Sequence, residues 1–135
     1  MSKAEEIVHK MFDNDAFSKW LGMEVIEIGE GVSTLRMTVR KEMLNGFEVL
    51  HGGITYSLAD SALAFASNAY GRKSMSIETS ISHTLSCKEG DLLTTKTVER
   101  SLSKKIGVYD ITVLNQYEKV VALFKGTVYS SDKYW

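Results

Sequence analysis

Residues 45–70, NGFEVLHGGITYSLADSALAFASNAY, constrain the fold more than any other stretch of the chain. A polar, glycine-containing lead-in runs into a long segment with helical spacing. Ile54, Leu58, Ala62, Phe65 and Ala69 recur on one face, and Ala59, Leu63 and Ala66 widen the apolar stripe. Gly52-Gly53 marks the start of this helix and Gly71 its stop. A helix that is apolar nearly all round belongs inside a core, and its Ala, Ser and Gly content lets other backbone approach closely. Between His51 and Arg72 the only formally charged side chain is Asp60. A carboxylate on such an element is costly unless something uses it or satisfies it.

The rest of the chain has to wrap that helix. Ser2 with Glu5 fits a capping box, and Ile7, Val8, Met11 and Phe12 follow on one face, predicting a short amphipathic helix that ends at Asp13-Asn14-Asp15. Phe17, Trp20 and Leu21 read as an apolar plug before Gly22, with core positions expected for Met11, Phe17 and Trp20. From residue 23 the period changes to two. Residues 23–28 and 32–40 form a hairpin about Gly29-Glu30-Gly31, with Leu35, Met37 and Val39 alternating against Arg36, Thr38 and Arg40.

After the long helix, strands are predicted over 74–85, 92–101, 108–113 and 120–128, separated by turns at Glu89-Gly90-Asp91, Ser103-Lys104-Lys105 and 115–119. In the third of these, Tyr109, Ile111 and Val113 oppose Val108, Asp110 and Thr112. The expected fold class is α+β: an antiparallel five- to six-stranded sheet curled round one long central helix, with the last four strands in meander order. At 135 residues, 1–135 is expected to be a single domain. Such a sheet leaves edges open, so a homo-oligomer paired through an edge is an economical solution.

Several function classes are disfavoured. A formal net charge of −1 gives no electrostatic footprint for nucleic acid or an anionic membrane. No apolar run reaches a membrane span, and the charged N-terminus lacks the apolar centre of a signal peptide. The single cysteine, Cys87, forms no internal disulfide, which makes a reducing cytoplasm the expected location. Cys87 has no base beside it in sequence, His9 and His83 read as surface and strand residues, and no ligand spacing suggests a metal.

The chemistry concentrates in the central stretch. Glycines at a helix start admit a ligand to backbone N–H groups that lack internal partners, and the positive end of the helix dipole suits a developing oxyanion. Asp60 can serve as base or nucleophile, or can simply be hydrogen-bonded by Ser57 or Ser61. Gly52 and Asp60 are separated by about 12 Å along a helix, whereas a reacting carbonyl must lie within about 3–3.5 Å of both groups. One chain therefore does not readily supply both. Two antiparallel copies related by a two-fold axis do, giving two composite sites per dimer.

The combination of Asn45, His51-Gly52-Gly53, Leu58-Ala59-Asp60 and Ala64-Phe65-Ala66 resembles the hotdog-fold acyl-CoA thioesterases of the phenylacetate-degradation (PaaI-like) group. Gly107-Val108-Tyr109-Asp110-Ile111 and the residues from Asn115-Gln116 to Gly126 extend the similarity over roughly 22–129. The resemblance implies hydrolysis of an acyl-CoA to free acid and coenzyme A without metal or other cofactor. It favours aryl-acetyl thioesters such as hydroxyphenylacetyl-CoA, and it implies a tetramer built from two dimers.

By that resemblance the Gly52 N–H and the Asn45 side chain polarise the thioester carbonyl. Asp60 of the partner subunit activates water or attacks directly, and Ser76 orients the water. His51 and Gly53 shape the substrate loop, with His51 holding it in preference to acting as a base. Asn45-Gly46 is equally a turn signal. Lys104 and Lys105 are candidates for the coenzyme A phosphates and equally an ordinary charged hairpin tip. Glu48 stands where many relatives carry glycine, and Cys87 replaces a proline common before the 89–91 turn. Two other functions fit the same residues: a hotdog hydratase or dehydratase using His51 with Asp60 on a β-hydroxyacyl thioester, and a non-catalytic acyl-CoA binding protein.

Overall fold

The computed structural model describes residues 1–135. Helix α1 (Lys3–Asp13) begins with the capping box: Glu5 N–H donates to Ser2 Oγ at 3.1 Å and Ser2 N–H to Glu5 Oε1 at 3.5 Å. Ala4, Ile7 and Val8 are its buried face. The next segment departs from expectation. Residues 16–20 form a short helix, α2 (Ala16–Trp20), and only Leu21 of the apolar plug is fully buried. Met11 is half-buried, while Phe17 and Trp20 are exposed and stack on each other with ring centroids 6.2 Å apart. The cause is which residue α2 turns inward. Ser18 is buried against Asp15 and Ser61, which leaves Phe17 and Trp20 on the outer flank of a one-turn helix. Arg40 lies over the Trp20 ring at 5.5 Å and donates to the carbonyls of Trp20 and Leu21.

Strands β1 (Glu24–Gly29) and β2 (Val32–Thr38) make the expected hairpin. A 3₁₀ turn at Lys41–Met43 and the 45–49 loop lead into α3 (Gly52–Asn68), whose 17 residues span about 25 Å. There follow β3 (Arg72–His83), β4 (Leu92–Leu102), β5 (Ile106–Leu114) and β6 (Val120–Tyr134). All six strands join one antiparallel sheet in the order β1-β2-β4-β5-β6-β3. The four-strand meander is therefore corrected: only β4-β5-β6 is a meander. Helix α3 carries the chain across the sheet to the far edge, where β3 pairs with β6, and residues 84–91 bring it back so that β4 pairs with β2. That return is too long for a tight hairpin, and it is anchored by Thr84 N–H on the Val121 carbonyl and by the Cys87 carbonyl, which accepts from Leu50 N–H.

The core lies between α3 and the inner sheet face. Leu58, Ala62, Leu63, Phe65 and Ala66 pack against residues that include Leu35, Met37, Leu93, Ile111, Val113 and Phe124. Each fully buried leucine contributes about 1.5–3 kcal/mol. The small residues of α3 let it sit close to the strands, and Gly126 completes the fit: a Cβ there would collide with the Leu63 side chain. No helix is long and apolar enough to cross a membrane.

Candidate active site

The start of α3 is built by the loop before it. Asn45 Oδ1 accepts from Phe47 N–H at 2.8 Å and Val49 N–H at 3.4 Å, and Asn45 N–H donates to the Val49 carbonyl at 2.8 Å. The Asn45 amide oxygen is thus committed to the turn, while its amide nitrogen has no partner in the protein. Glu48 closes this turn at φ 62°, the left-handed region that favours glycine. His51 is the N-cap residue, with Nδ1 accepting from Gly53 N–H at 3.0 Å. The His51 carbonyl accepts from Ile54 N–H at 3.0 Å. With Gly53 and Ile54 satisfied, Gly52 N–H is left without an acceptor at the positive end of a 17-residue helix.

Gly52 opens into a cavity of about 390 Å³ lined by Leu50, Thr55, His83, Leu85 and Cys87 among others. The Cys87 thiol is pushed up to about 11, first by burial and then by the Asp91 carboxylate, so it is not a ready nucleophile.

Asp60 projects from α3 two turns further on, and the local hydrogen bonds bypass it. Ser57 Oγ donates to the Gly53 carbonyl at 2.8 Å, and Ser61 Oγ pairs with Ser18 Oγ at 2.9 Å. The Asp60 carboxylate therefore has neither a hydrogen bond nor an ion pair within the chain, and satisfaction by Ser57 or Ser61 is not what holds it. Its side chain is exposed to solvent in the single chain, yet the surrounding helix and strand desolvate the carboxyl enough to raise its pKa from the ordinary value. It lines a second cavity, of about 300 Å³, between α3 and β3, together with Leu63, Ala64, Ser74, Ser76 and Val128. Ser76 and Asp60 are thus brought together, while Gly52 opens elsewhere on the same helix.

The other expected site residues are placed as follows. Asn45 lines neither cavity but a third space with Lys41, Glu48 and Lys88. Lys104 and Lys105 sit in the β4–β5 connection and line neither the Gly52 nor the Asp60 cavity. The Lys104 carbonyl accepts from Arg72 Nη1 at 2.8 Å, and Lys105 Nζ lies 5.9 Å from the centre of the Tyr129 ring. The contact that sequence reasoning missed is made by His83, which is the strand residue expected and ends β3. Its ring lies against Gly52, so that a Cβ on Gly52 would be 3.0 Å from Nε2. No local sequence signal marks this contact, because it arises only when β3 ends beside the start of α3.

A single antiparallel sheet wrapped round one long helix, with an open amide at the helix start and an unpaired acid on its body, defines a hotdog-fold enzyme. The thioesterase superfamily profile matches residues 47–122. The acyl-coenzyme A thioesterase PaaI of Escherichia coli (strain K12) is 42% identical over 124 residues, covering 92% of this chain and 89% of that protein. The solved structure of the E. coli PaaI protein from the phenylacetic acid degradation operon superposes with a TM-score of 0.95 at 39% identity, covering 98% and 96% of the two chains. A Streptococcus mutans protein solved bound to acetyl CoA is similar at 25% identity and a TM-score of 0.80, covering 84% of this chain and 91% of its own. The chain belongs to the thioesterase superfamily, and within it to the PaaI-like group.

Proposed function

We propose that this protein hydrolyses acyl-CoA thioesters in the cytoplasm, as a homodimer or dimer of dimers, without metal or other cofactor. The observation that carries the composite site is the separation of two unpaired groups on α3: the Gly52 N–H and the Asp60 carboxylate open into different cavities. Each half has what the other lacks. The Gly52 N–H and the helix dipole grip the thioester carbonyl oxygen, with the free Asn45 amide nitrogen as a further donor. Asp60 of the partner subunit faces the carbonyl carbon, and Ser76 holds the water beside it.

In the general-base route, the water oxygen bonds to the carbonyl carbon while its proton passes to Asp60. The tetrahedral oxyanion then collapses, the C–S bond breaks, and the departing coenzyme A thiolate takes a proton to leave as thiol. In the nucleophilic route, Asp60 itself attacks, the thiolate leaves first, and water cleaves the resulting anhydride. Partial desolvation suits either role by weakening solvation of the carboxylate.

The preferred acyl group is aryl-acetyl, on the strength of the similarity to a PaaI protein from a phenylacetic acid degradation operon. His51 and Gly53 hold the loop that receives it, and Lys104 and Lys105 remain candidates for the phosphates of coenzyme A. A hydratase reading has less support, because His51 Nδ1 is occupied in capping α3.

Thiol release measured across aryl-acetyl, short-chain and long-chain acyl-CoAs tests the activity. Asp60→Ala is expected to lower kcat by at least about a thousandfold with the assembly intact, and retained turnover would remove Asp60 from the mechanism. Mixing and re-annealing Asp60→Ala subunits with Gly52→Val subunits tests the sharing. Random reassortment places one intact site in each mixed dimer, which restores about a quarter of wild-type activity. No recovery in demonstrably mixed dimers would mean that each chain builds its site alone.

A further inference from the structure

We propose that His83 adds a donor to the substrate carbonyl beyond Gly52 and Asn45, its imidazole Nε2–H binding the same oxygen as the Gly52 N–H. The inference rests on the thioesterase reading above and adds to it a group that comes from β3 rather than from the loop before α3.

The geometry makes the case. A Cβ built on Gly52 would lie 3.0 Å from His83 Nε2 and 3.2 Å from Cε1. A backbone nitrogen sits about 2.5 Å from the Cβ of its own residue. The Gly52 amide nitrogen and Nε2 are therefore at most about 5.5 Å apart. Two donors each about 2.9 Å from a common oxygen can be separated by up to about 5.8 Å. The two nitrogens are therefore no farther apart than the span one carbonyl oxygen can bridge.

Three further observations point the same way. Gly52 and His83 open into the same cavity of about 390 Å³, large enough to admit one arm of a thioester. His83 makes no hydrogen bond within the protein, so its donor capacity is unspent. Asn45, the other side-chain candidate, lines a different space and uses its amide oxygen in the turn. A side chain at residue 52 would make the imidazole give by a few tenths of an ångström, so glycine there also leaves the ring in its present place. His83 takes no proton in this role. It shares the negative charge that develops on oxygen as the nucleophile adds, and gives up that share when the C–S bond breaks and the carbonyl re-forms.

The test uses phenylacetyl-CoA carrying ¹³C at the carbonyl, bound to Asp60→Asn protein so that it is not consumed. Infrared difference spectra are expected to show the bound carbonyl stretch below its solution value. Adding His83→Phe, which keeps the ring and loses the donor, is expected to move it back toward solution, and His83→Gln to hold it at an intermediate value. In otherwise wild-type protein, His83→Phe is expected to lower kcat by about 10²–10³-fold with KM within about threefold, and His83→Gln to recover at least tenfold of that loss. Circular dichroism and sedimentation confirm that both variants fold and assemble. A His83→Phe protein with the parental carbonyl frequency, or with undiminished kcat, overturns the assignment. A wild-type protein that releases no thiol from any acyl-CoA overturns the thioesterase reading instead, and the carbonyl frequencies still decide the role of His83.

Discussion

The two edges of the sheet are built alike and finished differently. Each edge strand has an irregular register with an isoleucine at the break: Ile26 between Val25 and Glu27 in β1, and Ile77 between Ser76 and Glu78 in β3. On β1 the exposed isoleucine is flanked by Glu24 and Glu27, the strand is only six residues long, and Glu24 pairs with Arg36. These are the usual defences of an edge meant to stay unpaired. On β3 the strand runs twelve residues, Met75 is 76% exposed and Ile77 61%, and Glu78 is the only charged residue between Ser74 and Ser82. The undefended edge also carries Ser76 and His83 and borders the Asp60 cavity. The first edge carries the features of a strand meant to stay unpaired, and the second lacks them beside the candidate site.

The largest effect should come from placing a charge on each edge in turn. Ile77→Lys is expected to reduce the assembly to monomers by sedimentation and to lower thiol release by about a hundredfold, whereas Ile26→Lys leaves both unchanged. If Ile77→Lys stays assembled and active, β3 is not the interface.

The functional side should also hold local costs that the β1 side lacks. Glu48→Gly is expected to stabilise the protein by about 0.5–1 kcal/mol in urea unfolding, the left-handed penalty less the chain entropy glycine adds to the unfolded state. A loss of stability would show that the Glu48 side chain has an unseen role.

Asp60→Asn should raise the Tm at pH 7. Partial desolvation raises the folded carboxyl, so the folded state holds its proton more tightly than the unfolded state. The stability from this group is present below the unfolded value of about 4 and is lost as pH rises through the raised folded value. The gain from Asp60→Asn should therefore shrink as pH falls through the raised folded value and vanish only well below about pH 4; a gain independent of pH would point to packing rather than charge. The smallest effect belongs to β1. Glu24→Gln should cost no more than about 0.5 kcal/mol, since the 3.3 Å pair with Arg36 is largely exposed.

Local signals were legible where local forces decide. The capping box of α1, the start of α3 at Gly52-Gly53 and the isolation of Asp60 all followed from residue type and spacing. Strand order was not legible, because the segment that becomes β3 would read the same beside β4 or beside β6. Its place depends on where a 17-residue helix delivers the chain. The exposure of Phe17 and Trp20 was hidden for a related reason: hydrophobicity favoured burying them, but α2 turns Ser18 inward onto Ser61, a contact 43 residues away that no local pattern marks. The His83 contact escaped notice because its partner, Gly52, lies on a different element and no periodicity links the two.

Ser76 and His83 both lie on β3, whose outer edge is unpaired, one from each half of the proposed site. A perpendicular dyad through two antiparallel strands must run through a residue that faces its own copy. Ser76 can approach the partner's His83 only if that residue lies midway between positions 76 and 83. This leaves two settings, Thr79 opposite itself or Ser80 opposite itself. Thr79 is engaged on the inner face by the Tyr56 hydroxyl, so a cysteine at position 80 that cross-links to its own counterpart would fix the alignment of the two halves.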